Sequence, residues 1–115
     1  MPKQEELPLF TFRVLIWFDS GYNTFVARCL ETGSVATAGD METVEDMVKE
    51  LLVDELTYAL EHDNLASLYS SPAPIDVWLK FRQVIQNGVP SKPMQRAVRA
   101  REEEVHTEIK IAQAG

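Results

Sequence analysis

The sequence predicts a small α+β domain in which an N-terminal three-stranded antiparallel β-meander packs against one long amphipathic helix. Two patterns indicate this fold class. Apolar residues alternate with a period of two over residues 9–18, and they recur with three- and four-residue spacing over residues 43–62. The chain has 115 residues, 45% of them hydrophobic and 25% charged, which are ordinary values for one domain with its own core.

The first strand is predicted over residues 9–18, LFTFRVLIWF, which are rich in aromatic and branched side chains. One face of this strand, which we expect the helix to cover, carries Phe10, Phe12, Val14, Ile16 and Phe18. Turn residues at 19–21 precede a return strand over residues 22–30. A second turn at 31–33 precedes a short strand of small residues over 34–38. Together these segments predict the meander.

A long helix is predicted to begin at Thr43. Thr43 and Asp46 form a variant of the capping box in which Asp replaces the usual Glu or Gln. The apolar residues that follow share one helix face, and their pattern fades at residues 62–64. This face consists of Val44, Met47, Val48, Leu51, Leu52, Leu56, Ala59 and Leu60. We expect it to pack on the sheet.

Residues 75–87 follow a proline-containing breaker at 70–74 and fit two secondary structures. A strand would align Ile75, Val77, Leu79 and Phe81, and a helix would align Val77, Phe81, Val84 and Ile85. Asp76 is a suitable helix cap and Gly88 a suitable C-terminal stop. We favour the shorter second helix.

The α+β domain is predicted to comprise residues 1–87, with residues 88–115 as a charged C-terminal segment. Prolines and dense charge over residues 88–104 indicate a loop that leads into a solvated, partly helical stretch. Residues 105–112, VHTEIKIA, alternate again and predict a last strand that returns to the sheet.

The net charge of −7 is unevenly distributed. Residues 1–87 contain 6 Lys and Arg against 14 Asp and Glu, whereas residues 88–115 contain 5 against 4, so the two parts carry −8 and +1. Such an acidic body is a poor general binder of nucleic acid and suits a basic protein partner better. No apolar run approaches the ~20 residues that span a bilayer, the N-terminus lacks signal-peptide order, and Cys29 is the single cysteine. We therefore expect a cytoplasmic protein with no membrane contact.

No pattern in the sequence indicates a catalytic, cofactor or metal site. His62 and His106 lack metal-ligand spacing, and Cys29 has no partner cysteine. Asp19 and Asp40 fall at strand ends, where catalytic acids often sit, but turn chemistry explains them equally well. We predict a non-enzymatic protein without a cofactor.

Two surfaces are candidate interfaces. On the predicted long helix, an acidic stripe consists of Asp46, Glu50, Asp54 and Glu61, and it is either a solvated face or a surface that steers a basic protein. On the first strand, Leu15 and Trp17 point away from the face expected to contact the long helix. Either the second helix covers them, or they form an apolar patch for a homo-oligomer. Edge pairing through residues 22–30 is another route to self-association.

The run FVARCLETGSVATAGDMETVEDMVKELLVDEL at residues 25–56 resembles the core of HicB-family antitoxins, with a likeness that covers roughly residues 10–62. The family usually has a Pro-Gly-Cys turn where this chain has Thr32-Gly33-Ser34, and its Gly-Asp pair is matched by Gly39-Asp40. After a two-residue insertion at Met41-Glu42, the family's helix opening is matched by Thr43-Val44-Glu45-Asp46-Met47. The resemblance implies a partial ribonuclease-H-like fold without catalytic carboxylates. It also implies an oligomeric protein that binds and blocks HicA, a small basic toxin that cleaves messenger RNA.

Many HicB-family proteins append a DNA-binding segment that represses their own operon. In this chain the only basic group suited to that role is Lys92, Arg96, Arg99 and Arg101, and three glutamates follow it at 102–104. A DNA-binding regulator that uses this segment is therefore the alternative function, and a mixed-charge solvated segment is the competing interpretation.

Overall fold

The computed structural model describes residues 9–88, 92–100 and 103–114. The elements are β1 (Leu9–Asp19), β2 (Thr24–Cys29), β3 (Val35–Ala38), α1 (Met41–Glu61), α2 (Leu65–Leu68), α3 (Ile75–Gln86), β4 (Lys92–Ala100) and β5 (Glu103–Gln113). Within these ranges the strands form one five-stranded mixed sheet in the order β3-β2-β1-β5-β4. The α+β class is confirmed, although the sheet has two strands more than the predicted meander.

The meander of β1, β2 and β3 is present with antiparallel pairing throughout. Asp19 Oδ1 accepts a hydrogen bond from the Gly21 N–H at 2.9 Å, which closes the first turn. Gly33 adopts φ +77 in the second turn. Because β2 lies between β1 and β3, residues 22–30 do not form a free edge. The prediction of self-association by edge pairing through that strand is therefore wrong.

Helix α1 begins two residues earlier than predicted, at Met41. Its N-cap is Asp40, whose carboxylate accepts a hydrogen bond from the Thr43 N–H at 2.8 Å. The prediction that Thr43 is the N-cap is therefore wrong. The helix ends at Glu61, as expected from the fading pattern. Its buried face is Val44, Val48, Leu52, Leu56 and Ala59, whereas Met47 of the predicted face is 43% exposed.

The predicted loop or partial helix over residues 88–104 is wrong for residues 92–100, which form the edge strand β4. The last predicted strand is present as β5, which pairs with β1 in parallel and with β4 in antiparallel orientation. Val98 and Val105 are buried in the main core. Along β4 the core-facing side carries Met94, Val98 and Ala100 together with the exposed Arg96, and the other side carries the exposed residues Pro93, Gln95, Ala97 and Arg99. The described residues beyond 87 therefore belong to the same sheet and core as the rest of the domain.

Each face of the sheet packs against a helix. Helix α1 covers the face that carries Phe12, Val14 and Ile16, as predicted. Helix α3 forms over residues 75–86, as favoured, and covers part of the opposite face. Leu15 is only 2% exposed beneath it, and Trp17 packs against the same cluster. Of the two alternatives for this pair, cover by the second helix is observed for Leu15, whereas Trp17 is half-buried, and both residues line a cavity of about 360 Å³ beside α3. An interface role for the pair stays a prediction.

Candidate functional site

The predicted acidic stripe of α1 lies along a groove between this helix and β3. Asp46, Glu50 and Asp54 are all exposed, and they form the outer rim. The groove has a volume of about 690 Å³. Its lining is Val35, Ala36, Thr37, Thr43, Asp46, Met47, Glu50, Leu51 and Asp54. The helix residues among these follow the three- and four-residue spacing of one stripe, which lies beside the buried face.

The local sequence explains why the helix lies next to this strand. Only Gly39 and Asp40 separate the end of β3 from the start of α1, so the helix turns back over the strand that precedes it. Thr37, near the end of β3, lines the groove together with Thr43 at the start of α1. Ser34, just before β3, lies near Asp54 in the second half of the helix. The two elements therefore run antiparallel along the groove.

Two cations reach the acidic rim. Lys49 Nζ lies 3.2 Å from Asp46 Oδ1, and Arg96 Nη2 of β4 lies 3.6 Å from Glu50 Oε1. Both acidic partners are well exposed, so each pair contributes only about 0–1 kcal/mol. A ligand with a higher density of positive charge could replace such contacts at small cost.

The inner part of the groove is apolar. Met47 is 43% exposed on the helix side of the groove. On β3, Ala36 is buried in the core beneath α1, so its neighbour Val35, which is 46% exposed, directs its side chain to the opposite face of the sheet. Leu51 also lines this part. An apolar floor beside a charged rim is the arrangement expected of a protein-binding surface, in which burial gives affinity and charge gives orientation.

A smaller pocket of about 350 Å³ adjoins the groove and shares Asp54 with it. Its lining is Thr32, Ser34, Asp54, Glu55, Tyr58, Ala59, Ser67 and Leu68. The Ser34 hydroxyl donates to Glu55 Oε1 and also bonds to the Thr32 hydroxyl. The Tyr58 ring stacks on His62 with centroids 4.0 Å apart. Sequence reasoning missed this pocket because it joins the turn at Thr32 and Ser34 to lining residues twenty or more positions later, in the second half of α1 and in α2.

The C-terminal basic residues do not form one surface. Arg96 and Arg99 of β4 differ by three positions, so their side chains lie on opposite faces of the sheet. Arg96 contacts Glu50, and Arg99 lies opposite Glu104 of β5. Arg101 and the side chain of Lys92 lie outside the described part of the chain.

The carboxylates at strand ends make local contacts. Asp19 accepts from two backbone N–H groups in the first turn, and Asp40 caps α1 through Thr43. These hydrogen bonds lower the pKa of Asp40. Glu31 accepts from both the backbone N–H and Nε of Arg13. Among the described residues, no three His, Cys, Asp or Glu side chains are grouped as a metal site would require. Non-enzymatic function remains a prediction.

Burial determines the chemistry of the single cysteine. Cys29 is fully buried in the main core, and this raises its pKa to about 11. The side chain is therefore a neutral thiol at physiological pH, which is the inert state of cysteine.

No helix formed by the described residues is both long enough and apolar enough to span a bilayer. No protein-family model, curated protein or solved structure matches this chain.

Proposed function

We propose that this chain is a non-enzymatic interaction protein that binds a small basic protein through the groove between α1 and β3. The observation that supports this proposal is the groove itself, in which the rim of Asp46, Glu50 and Asp54 borders the exposed side chain of Met47 and the edge of β3. The resemblance to HicB-family antitoxins suggests the class of partner, a basic RNA-cleaving toxin that this chain neutralises.

The test uses the small basic protein encoded beside this chain's gene, if such a reading frame is present. We expect the purified pair to bind with an association rate that falls as salt is added, because exposed charges are screened. The triple variant Asp46→Asn, Glu50→Gln and Asp54→Asn should slow association strongly. A control with the same net charge, Glu42→Gln, Glu61→Gln and Asp76→Asn, should bind nearly as the unchanged protein does.

Two results would contradict the proposal. One is the absence of any neighbouring small basic reading frame, which would leave at most an orphan relative of the antitoxins. The other is equal binding by the triple variant and its control, which would remove the groove from the interface.

Self-association is a second part of the proposal and follows from the resemblance. Leu15 is buried beneath α3 and Trp17 is half-buried beside it, so of this pair only Trp17 could contribute to a homo-oligomer interface. Sedimentation across micromolar concentrations tests this part, and a monomer throughout would refute it.

The alternative is a DNA-binding regulator that uses the C-terminal segment. Its support is weaker, because Arg96 and Arg99 lie on opposite faces of the sheet. Salt-sensitive retardation of DNA from upstream of the gene, lost in an Arg96→Ala, Arg99→Ala and Arg101→Ala variant, would favour it over toxin binding.

A further inference from the structure

We propose that the free edge of β3 receives an extended, basic segment of the partner as an additional strand of the sheet. This inference rests on the proposed function, because it specifies how a basic protein would occupy the groove. The occupant to which it commits is a strand with positively charged side chains at alternate positions.

The first argument is the state of the edge. Strand β3 pairs with β2 on one side, and within the described residues no strand lies on the other. The Cys29 N–H donates to the Ser34 carbonyl at 2.9 Å, and Thr24 Oγ1 donates to the Ala38 carbonyl at 3.0 Å. Antiparallel pairing alternates, so the main-chain groups of Val35 and Thr37 point away from β2. The main-chain N–H and C=O groups of two alternate residues, Val35 and Thr37, are therefore available to an incoming strand.

The second argument is the lack of the usual edge protection. The sequence of β3 is VATA, with no charged residue and no proline. The other edge strand, β4, reads KPMQRAVRA and contains both. Charges and prolines at edges prevent unwanted strand pairing. Strand β3 is only four residues long, which limits an added strand to a short ladder, but it is the edge without a charge or a proline to oppose that pairing.

The third argument is the match between two repeats. Asp46, Glu50 and Asp54 are four residues apart, so they recur about every 6 Å along the helix. In an added strand, side chains on one face recur about every 6.8 Å. Because α1 runs along β3, lysine or arginine at alternate positions of the added strand would meet successive carboxylates over three pairs.

The fourth argument is the pocket at the end of the groove. Asp54 and Glu55 supply carboxylates there, and the ring of Tyr58, which is 63% exposed, supplies an aromatic face. Carboxylates and an aromatic ring together are the surroundings that favour a lysine or arginine head group. A basic side chain near one end of the added strand would occupy this pocket.

Charge also argues against a second copy of this chain as the occupant. Pairing β3 with β3 would bring two acidic rims together, and each chain carries a net charge of −7. Like charges held close oppose association, whereas a basic strand reverses the sign of that interaction.

The test measures binding of a synthetic peptide of about nine residues with alternating lysine and threonine, a length typical of a strand. Two isomers each carry four N-methyl groups, at positions 3, 5, 7 and 9 in one and at positions 2, 4, 6 and 8 in the other. A strand presents the N–H groups of alternate residues to one neighbour, so one isomer should bind about tenfold or more weakly and the other nearly as the parent peptide. Amide hydrogen exchange at Val35 and Thr37 should slow when the parent peptide binds.

A protein variant provides an independent readout. Thr37→Pro removes an outward N–H without removing a bond to β2, and edge strands tolerate proline. It should weaken binding of the parent peptide about tenfold, whereas Thr37→Ala, which keeps the N–H, should not. Should Thr37→Pro fail to fold, the two peptide isomers still decide the matter on the unchanged protein.

Equal binding of the two isomers would overturn strand addition, and so would failure of the parent peptide to bind. Neither result alters the partner-binding experiment above, in which the carboxylate variant is compared with its control. If that comparison succeeds while the isomers are equal, the basic partner binds the groove in another conformation. A protein that dimerises, and that Thr37→Pro converts to a monomer, would assign the edge to a second copy and overturn the inference.

Discussion

The two faces of the sheet are covered in different ways. Helix α1 packs 21 residues of helix along one face, and its buried side chains are aliphatic. Helix α3 packs 12 residues against part of the opposite face, where its contacts include Trp78, Phe81 and Val84. The first face is a continuous core, and the second is a smaller cluster.

Polar contacts attach α3 to its face. Arg13 Nε donates to Glu31 Oε2 at 2.6 Å, and the guanidinium lies over the Trp78 ring at 4.8 Å. Trp78 Nε1 donates to the Ala73 carbonyl at 3.1 Å. Helix α3 buries a smaller cluster than α1, so these hydrogen bonds and the cation–π contact help to fix its orientation. The comparison indicates that α1 determines stability and that α3 shields a face that would otherwise be open.

The largest expected effect is that of truncating one leucine on each face. Leu52 of α1 is fully buried against the first face, and Leu15 of β1 is 2% exposed under α3. We expect each change to alanine to lower the free energy of unfolding by about 2–5 kcal/mol, with Leu52 near the upper end and Leu15 near the lower. The shorter helix can shift to fill the space, and the continuous core cannot. Urea denaturation measures both, and equal losses would contradict the distinction between the faces.

The connection between the two faces is tested by Gly33→Ala. At φ +77 an alanine is strained by about 1–2 kcal/mol, and its Cβ would lie 2.1 Å from the Ser71 carbonyl oxygen in the segment that leads from α2 to α3. Relief of that contact requires the segment to move, so α3 should loosen. We expect the variant to have a lower free energy of unfolding. We also expect its tryptophan fluorescence to differ from that of the unchanged protein, because Trp78 lies on α3. The matched variant Gly39→Ala, with no atom within 4 Å of the new Cβ, should leave both nearly unchanged.

Burial of Cys29 under α1 predicts low reactivity. With a pKa of about 11 in place of 9.0, the thiol is ionised roughly 100-fold less at slightly alkaline pH. An alkylating reagent should therefore modify the folded protein far more slowly than the denatured one. Leu52→Ala, which opens the core above this face, should speed modification more than Leu15→Ala. Rapid labelling of the unchanged folded protein would contradict the burial.

The smallest expected effect is at the start of α1. The pKa of Asp40 is lowered by hydrogen bonds from the Thr43 backbone N–H and hydroxyl, so the ionised carboxylate is the form that stabilises the fold. The contribution of this carboxylate to the free energy of unfolding is present above the pKa of Asp40 in the unfolded chain, about 3.8. That contribution is lost as the pH falls through the lower pKa of Asp40 in the folded protein. Asp40→Ala should lower stability at neutral pH, and the difference should vanish in acid. Denaturation between about pH 7 and about pH 2 measures it, with Asp40→Asn, a good neutral cap, as the control.

Sequence reasoning predicted the elements whose signals are local. The alternation of β1, the turn residues after it and the spacing along α1 each lie within one short stretch, so the meander, the long helix and most of its buried face were predicted, with Met47 as an exposed exception. The acidic residues of the groove were also named, because a helical stripe can be recognised without knowledge of its neighbours. The error over residues 92–100 arose because charge and prolines suggest a loop, although both are also features of an edge strand.

By itself the sequence determined the α+β class, the meander and the residues of α1 that face the core, because hydrophobic periodicity constrains a single element. Only the tertiary structure decided which surfaces remained open. The parallel pairing of β1 with β5 and the cover that α3 places over Leu15 join residues far apart in the chain, and the groove between α1 and β3 depends on how the helix turns back over the edge of the sheet. Such contacts are selected by packing of the whole domain, which no local pattern encodes.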